Sequence, residues 1–481
     1  MQTDREKVIN SILWKFLERI GNQSVSFVVS VVLARLLLPE QYGIIAMVNV
    51  FILFSNIFIT SGFTSALVQK KDADDTDFST VFFSSLVLSI CLYILLWLLS
   101  PYIADYFAMP QLKDITRIYA LSLVLSSYNS VQVAYVNRNM LFRKNLIATL
   151  ISSILSGFLG IAAAYLGFGV WALVLQGLLS IVINIIVLHF IVSWRLSFVF
   201  SIERFHKLIS FGGNILLSDL VNTFVNEVRS LLIGKYYTPA DLAFFNRGNQ
   251  LPNLVSTNLD TTIQSVLFPA MSNYSNDRER VKAMTKRAIK TSTYLTFFFM
   301  TLLAVSSEPI IRILLTDRWI DCVPYMQIIC ISRALGVVSI SNLQGLKAIG
   351  ESKEILKLEV FKKPLFLILI VLSVNLSVLA VAVTMPMYAI YALAMNSKPT
   401  RRLLNYGIRE QLIDIAPSLL LALAVGVVTY PITFLQLSVW WIMFLQILLG
   451  FVVLILLSIA FKVESYYYIL EILKNKILIK R

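Results

Sequence analysis

The chain has 481 residues, of which 58% are hydrophobic and 14% charged, and its formal net charge is +14. A soluble domain runs near ~45–50% apolar and ~25% charged, so with a mean hydropathy of +0.78 a water-soluble globular protein is excluded. The basic excess is read as loops gathered on the cytoplasmic side of a bilayer, and no nucleic-acid partner is expected.

Residues 1–10 are polar and no cleavable-signal pattern follows, so Ile12–Leu38 is expected as a retained first span. Further apolar runs lie at 42–68, 79–100, 115–136, 146–166 and 170–193. They continue at 208–234, 249–273, 288–307, 322–345, 358–376 and 378–396, and end at 412–431 and 438–461. A crossing helix needs roughly 20 mostly apolar residues, so the expected fold class is an all-α, polytopic membrane protein with about 14 transmembrane helices. The seventh and eighth runs are much more polar than the rest and are assigned partly from their place in the alternation. Beyond Phe461 the tail ends YYYILEILKNKILIKR. It reads equally as a basic amphipathic cytoplasmic helix on an anionic leaflet or as a plain stop-transfer anchor.

With the N-terminus in the cytoplasm, 30 of the 41 Lys and Arg fall in cytoplasmic segments. Only Arg35, Lys113, Arg117, Lys235, Arg247, Arg312 and Arg318 fall opposite, while Lys15, Arg19, Arg229 and Arg333 lie inside spans. Both termini are therefore expected on the cytoplasmic side.

The chain also repeats. RLLLPEQYG (Arg35–Gly43) lies over KYYTPADLA (Lys235–Ala243) at an offset of 200, and PYIADYF (Pro101–Phe107) over PIIRILL (Pro309–Leu315) at 208. A parallel duplication is expected, with an N-terminal lobe of six spans over 1–206 and a C-terminal lobe of six over 207–397. Two extra spans and the tail occupy 398–481. An even number of spans starts both lobes from the same side. That predicts a pseudo-twofold axis along the membrane normal, with a cavity between the lobes.

An ionisable residue at membrane depth costs at least about 2.5–3.5 kcal/mol on insertion scales, so it is a functional candidate by default. The first span carries Lys15, Arg19, Asn22 and Ser26 on one face with Glu18 beside them, and the second carries Asn49, Asn56 and Thr60. The seventh carries Asp219, Asn222, Asn226 and Arg229, flanked by Glu227. The eighth carries Asn249, Asn253, Ser256, Asp260 and Gln264, with Pro252 among them. These stripes predict a wet cavity for a polar, anionic ligand. Lys15, Arg19 and Arg229 are its cationic contacts, Arg333 a fourth, and Asn22, Asn56, Asp219, Asn222, Asn226, Asn253 and Asp260 its further lining. The competing reading makes Glu18–Arg19 or Glu227–Arg229 interhelical pairs and lets Lys15 reach the interface. Glu18, Asp219, Glu227 and Asp260 are candidate ion-coupling sites for H+ or Na+, because a desolvated carboxylate gains by binding either.

Three cysteines and two histidines offer neither a disulfide framework nor a histidine-based metal site. DADD (Asp72–Asp75) has the spacing of a metal–nucleotide-sugar motif but no domain around it, and it reads as a solvated turn. GLKAIGESK (Gly345–Lys353) lacks the ending of a phosphate loop. No loop is long enough to fold alone and no nucleophile–base set is visible. The chain is therefore expected not to be an enzyme, with no catalytic residue, cofactor or metal.

Several stretches carry a family resemblance. They are LARLLLPEQYG, GFTSALVQKKDADDTDFSTVFF (Gly62–Phe83), GFGVWALV (Gly167–Val174) and FGGNILLSDLVN (Phe211–Asn222). LLIGKYYTPADLAFFNRGNQL (Leu231–Leu251), SVLFPAMS (Ser265–Ser272) and LKAIGESKEILKLEVFKK (Leu346–Lys363) extend it. Over residues 10–400 the chain resembles the polysaccharide transporter family. This family comprises the Wzx-type lipopolysaccharide, exopolysaccharide and teichuronic-acid flippases of the multidrug/oligosaccharidyl-lipid/polysaccharide exporter superfamily. The resemblance implies a bacterial inner-membrane flippase that moves an undecaprenyl-diphosphate-linked oligosaccharide to the periplasmic leaflet by alternating access. An ion gradient is the expected drive, and a glycan polymerase and other export-complex proteins are the expected partners beside the lipid bilayer. It also implies that Arg19 and Arg229 meet the diphosphate or acidic sugars. Ala243 departs from the family, which usually has Gly there. The alternatives are a cation-coupled small-molecule exporter of the same superfamily, and a membrane enzyme or scaffold of a glycan-export complex.

Overall fold

Every regular element among the described residues, 2–70 and 73–478 of the computed structural model, is a helix. The first seven are α1 (Gln2–Leu36), α2 (Pro39–Gln69), α3 (Asp75–Tyr106), α4 (Gln111–Tyr119), α5 (Leu121–Arg138), α6 (Phe142–Tyr165) and α7 (Val170–Ile191). A non-helical linker leads to α8 (Ile202–Tyr236), α9 (Pro239–Ser272), α10 (Arg278–Val305), α11 (Ser307–Leu315), α12 (Val323–Ala348), α13 (Ser352–Val374) and α14 (Val378–Leu404). Finally come α15 (Ile408–Thr429), α16 (Val439–Ala460) and α17 (Glu464–Leu478). Each expected span falls on a helix, and the fourth is divided between α4 and α5 at Ala120. By length and composition, 9 helical segments among the described residues suffice to cross a membrane. α8 and α9 are not among these, because their polar stripes lower the hydropathy.

At the positions where a duplication is expected, some helix lengths and helix starts are alike. α1 and α8 are both 35 residues long, and α2 and α9 both begin at a proline, Pro39 and Pro239. Proline suits the first helical position, where its missing N–H would have no intrahelical partner. The residue before each proline is held alike. Leu38 N–H donates to Gln41 Oε1 at 3.0 Å, and Thr238 N–H donates to Asp241 Oδ2 at 3.1 Å. α4 and α11, each 9 residues long, follow α3 and α10 in the two copies.

By packing, the chain divides into two compact units, Met1–Ala243 and Phe244–Arg481. In the first, α6 packs on α1 and α7, and α2 packs along α8, α5 and α3. α8 opens the second copy of the repeat yet lies with the first unit. Phe78, Phe82, Val131, Leu188 and Trp194 form the main core there. Helices inside a bilayer gain little from hydrophobic burial, so close approach and polar contacts hold them. Gly157 of α6 provides such an approach, since a Cβ there would stand 2.4 Å from Val29 Cγ2 of α1. In the second unit α10 packs on α12 and α15, α14 on α12 and α13, and α16 on α15. Its core includes Ile289, Phe297, Val338, Tyr406 and Ile415. Inside it the fully buried amides of Asn342 and Gln411 exchange hydrogen bonds of 2.8 and 3.1 Å, which join α12 to α15.

Each unit also carries an ion-paired cluster at its basic end. Asp74 caps α3 and forms a capping box with Asp77. Asp77 is fully buried and receives Lys70 at 2.7 Å, while Arg204 of α8 pairs with Asp74. The hydrogen bond from the Arg204 guanidinium holds the Asp74 carboxyl below its ordinary value. The DADD turn is thus a helix cap and an ion-pair hub rather than merely solvated. Asp72 lies outside the described residues, as do Lys480 and Arg481 of the tail.

In the second unit, Lys286 reaches Glu410 at 3.0 Å and Asp414 at 3.3 Å. Lys290 reaches Glu464 at 2.8 Å and Asp414 at 3.5 Å. Hydrogen bonds from Lys286 and Lys290 pull the Glu410 and Glu464 carboxyls below their ordinary values. The same network holds the tail helix α17 against α10, and Tyr466 and Ile469 pack onto Tyr294, Phe298 and Leu421.

Candidate functional site

The polar stripes of the first unit divide between two helix pairs. On α1, Glu18 Oε1 accepts a hydrogen bond from Asn145 Nδ2 of α6 at 2.8 Å, and Glu18 pairs with Lys15 at 3.2 Å. Asn22 Oδ1 accepts from Ser153 Oγ of α6 at 2.8 Å. The spacing of 15, 18 and 22 keeps these side chains on one face, and that face meets α6. Lys15 also stands 5.2 Å from the Phe142 ring centre. Arg19, between them in sequence, is exposed.

The second pair is α2 with α8, which pack along each other; there the Phe54 and Phe224 rings lie 6.2 Å apart. Asn56 of α2 keeps its Oδ1 buried without a hydrogen bond. On α8, Arg229 is buried, with 9% of its surface exposed. Asp219 and Glu227 are half-buried, whereas Asn222 and Asn226 are exposed. Glu227 accepts from Ser230 Oγ at 3.1 Å. A guanidinium does not deprotonate in a protein, so Arg229 carries a fixed positive charge into the interior.

The second unit brings the predicted residues into closer mutual contact, across α9 and α12. Arg333 Nη2 donates to Asn249 Oδ1 at 3.2 Å, and Asp260, half-buried, lies within electrostatic reach of Arg333. Further along the same pair, towards the C-terminal ends of α9 and α12, Gln344 Nε2 donates to Gln264 Oε1 at 3.2 Å. Asn253 is exposed and takes a bond from Thr257 at 3.4 Å. Arg333 Nε is buried and makes no hydrogen bond. A guanidinium with an unfilled donor beside amide side chains is suited to a phosphate or carboxylate, which it can meet with parallel N–H···O bonds.

The structure therefore groups Lys15, Glu18 and Asn22 on α1 and α6, and Asn249, Asp260 and Arg333 on α9 and α12. The two groups belong to different units. Several residues escaped the sequence reading, Asn145 and Ser153 of α6 among them. Gln344 shares a face of α12 with Arg333 and Ser341, a stripe whose helical spacing is visible in the sequence. Lys362, counted with the cytoplasmic lysines, is buried on α13 with its Nζ 2.7 Å from Glu359 Oε1. Among the described residues no cluster of His, Cys, Asp and Glu could hold a metal.

Residues 32–324 match the polysaccharide biosynthesis protein family. The chain is 24% identical to the succinoglycan biosynthesis transport protein ExoT of Rhizobium meliloti (strain 1021) over 344 residues, 72% of this chain and 70% of that one. It is 22% identical to the lipopolysaccharide biosynthesis protein WzxC of Escherichia coli (strain K12) over 378 residues, 77% and 75% of the two. Among solved structures, the lipid II flippase MurJ in an inward closed conformation matches with a TM-score of 0.75. The match covers 94% of this chain and 99% of that chain at 16% identity. An inward-facing multidrug resistance MATE family transporter of the MOP superfamily matches with a TM-score of 0.58, covering 80% and 99% at 16% identity. At these identities the likeness is one of fold, and it agrees with the many apolar helices in making this a multi-pass membrane protein. Because the matched region takes in more than half of its length, the chain belongs to the polysaccharide biosynthesis protein family.

Proposed function

We propose that the chain is a flippase for an undecaprenyl-diphosphate-linked oligosaccharide. It carries a repeat unit of a surface polysaccharide from the cytoplasmic to the periplasmic leaflet of a bacterial inner membrane, with both termini in the cytoplasm. The observation that carries this reading is a guanidinium with a buried, unfilled donor among amide side chains, that of Arg333 beside Asn249, in a polysaccharide-family chain with the MurJ fold. Arg229 adds a buried cation in the other unit. A charged glycan head cannot cross about 30 Å of hydrocarbon unaided. Fixed cations neutralise its diphosphate, and the amides of Asn249, Gln264 and Gln344 replace the water around its sugars. The prenyl chain needs no such replacement and remains in lipid. Translocation makes and breaks no covalent bond, so no catalytic residue is required.

Coupling to H+ or Na+ falls to Glu18, Asp219, Glu227 or Asp260, and Asp260 is favoured by its place beside Arg333. A phosphate bound at Arg333 competes with Asp260 for the guanidinium, so substrate and coupling ion alter each other's affinity reciprocally. A glycan polymerase on the periplasmic side would take the product.

The test uses proteoliposomes of the purified chain with a fluorescent undecaprenyl-diphosphate oligosaccharide, followed by its accessibility to an added glycosidase, with and without H+ or Na+ gradients. Movement should require the protein. Arg229→Ala and Arg333→Ala should each slow it about tenfold or more, the equivalent of one charge-assisted hydrogen bond. No movement of several glycan heads, with export of a small cationic dye, would replace the flippase by a drug-type exporter.

A further inference from the structure

A separate cavity of about 640 Å³ opens at the basic end of the second unit, between α10, α15, α16 and the start of α17. Leu420, Ala424 and Leu457 line its apolar wall, and Lys290, Asp414, Lys462 and Glu464 line its rim. Leu420 and Phe461 beside it are 65% and 73% exposed, so the apolar wall runs on into a lipid-facing surface. An apolar wall with one charged edge marks the depth at which hydrocarbon gives way to headgroups.

The rim carries two cations, Lys290 and Lys462, and two carboxylates, Asp414 and Glu464, and Lys290 engages both carboxylates. Asp414 is held by Lys286, by Lys290 and by the Tyr406 hydroxyl, which donates at 2.9 Å, and Glu464 is held by Lys290. Arg287 lies over the Tyr468 ring. Lys462 makes no ion pair among the described residues and is exposed, at a left-handed position (φ 49°) that ends α16. Glycine is usual at such a cap, so a lysine there accepts backbone strain. Five cations, Lys282, Lys286, Arg287, Lys290 and Lys462, thus stand around three carboxylates, Glu410, Asp414 and Glu464.

We propose that this cavity binds one anionic glycerophospholipid, with its phosphate at Lys462 and the first part of an acyl chain against Ala424 and Leu457. The lipid bridges α15, α16 and the base of α17, which makes the docking of the tail helix sensitive to the anionic lipid content of its leaflet. The site is distinct from the polar stripes and stands whether or not the chain is a flippase.

The test is native mass spectrometry of the full-length protein in detergent, titrated with phosphatidylglycerol, phosphatidylcholine or undecaprenyl diphosphate. Phosphatidylglycerol should bind about fivefold more tightly than phosphatidylcholine, the contribution of one lysine near a lipid headgroup. Lys462→Gln, at an exposed position where folding is not at stake, should abolish that preference. Ala424→Phe, which fills the wall, should weaken both phospholipids. Equal binding of the two phospholipids by the unsubstituted protein would overturn the proposal, as would a preference that survives Lys462→Gln. So would tighter binding of undecaprenyl diphosphate that is lost on the same substitutions.

Discussion

Replacing Gly43 by alanine tests the crossing of α2 with the start of α9 inside the first unit. A Cβ on Gly43 would stand 1.8 Å from the carbonyl oxygen of Pro239 and 2.7 Å from its Cα. Both are backbone atoms in the first turn of α9, so no side-chain rotation relieves the clash. At Gly157, by contrast, the obstructing atoms are the methyls of Val29. Restoring ordinary contact at Gly43 requires the helix ends to part by roughly 1.5 Å, beyond the ~0.5–1 Å gap that already forfeits a quarter to a half of a contact's attraction. Overpacking costs about 1–3 kcal/mol, and the rigid backbone puts this site at the upper end. Alanine in a helix regains about 1 kcal/mol over glycine, which leaves a net loss of about 2 kcal/mol. Equilibrium unfolding in SDS–detergent mixtures would measure it. Gly336→Ala is the control, since a Cβ there meets nothing within 4 Å, and it should be neutral or stabilising by up to about 1 kcal/mol. A Gly43→Ala protein as stable as the parent would refute the close crossing.

Three further outcomes follow from the packing. Gln411→Leu strands the buried Asn342 amide and should cost about 2–3 kcal/mol, whereas Asn342→Leu/Gln411→Leu together should lie closer to the parent; additive effects in a double-mutant cycle would contradict the paired amides. Lys290→Met removes the partner of Glu464 and should speed limited proteolysis at the α16–α17 junction, with an unchanged cleavage rate counting against a tail docked by that pair. Acid should have a similar effect. Glu410 and Glu464 have folded values depressed below 4.5, so their stabilisation is complete above 4.5 and is lost as pH falls through the lower folded values. Proteolysis of the tail should therefore rise below pH 4.5 and not between pH 7 and about 5.5, and a flat profile down to about pH 3 would remove these carboxylates from the docking.

Much of the architecture is local information. Hydrocarbon thickness demands about 20 apolar residues per crossing, so most spans stand out as runs, and each run falls on helix, the fourth on two. Caps are equally local: Pro39, Pro239 and Asp74 begin helices because of their own backbone and side-chain chemistry. The short segments matched at an offset of 200 each join two long helices, α1 to α2 and α8 to α9, through a proline start. Helical spacing also placed Lys15 and Asn22 on one face, but it grouped Arg19 with them, whereas the structure sets Glu18 against α6 and leaves Arg19 exposed.

Which face meets which neighbour was not legible. Glu18 finds Asn145 and Arg333 finds Asn249 across distances in sequence that no window spans. Lys362 shows the same limit, because a count of cations near a boundary does not say which of them turn inward. α8 lies with the first unit although its sequence opens the second copy, and α17 rests on α10 through Tyr466, Ile469 and the Lys290–Glu464 pair. Composition and periodicity determine that a segment is a helix and which of its faces is polar. The rotation and partner of each helix come from packing summed over the whole chain, and that sum exists only once the helices are assembled.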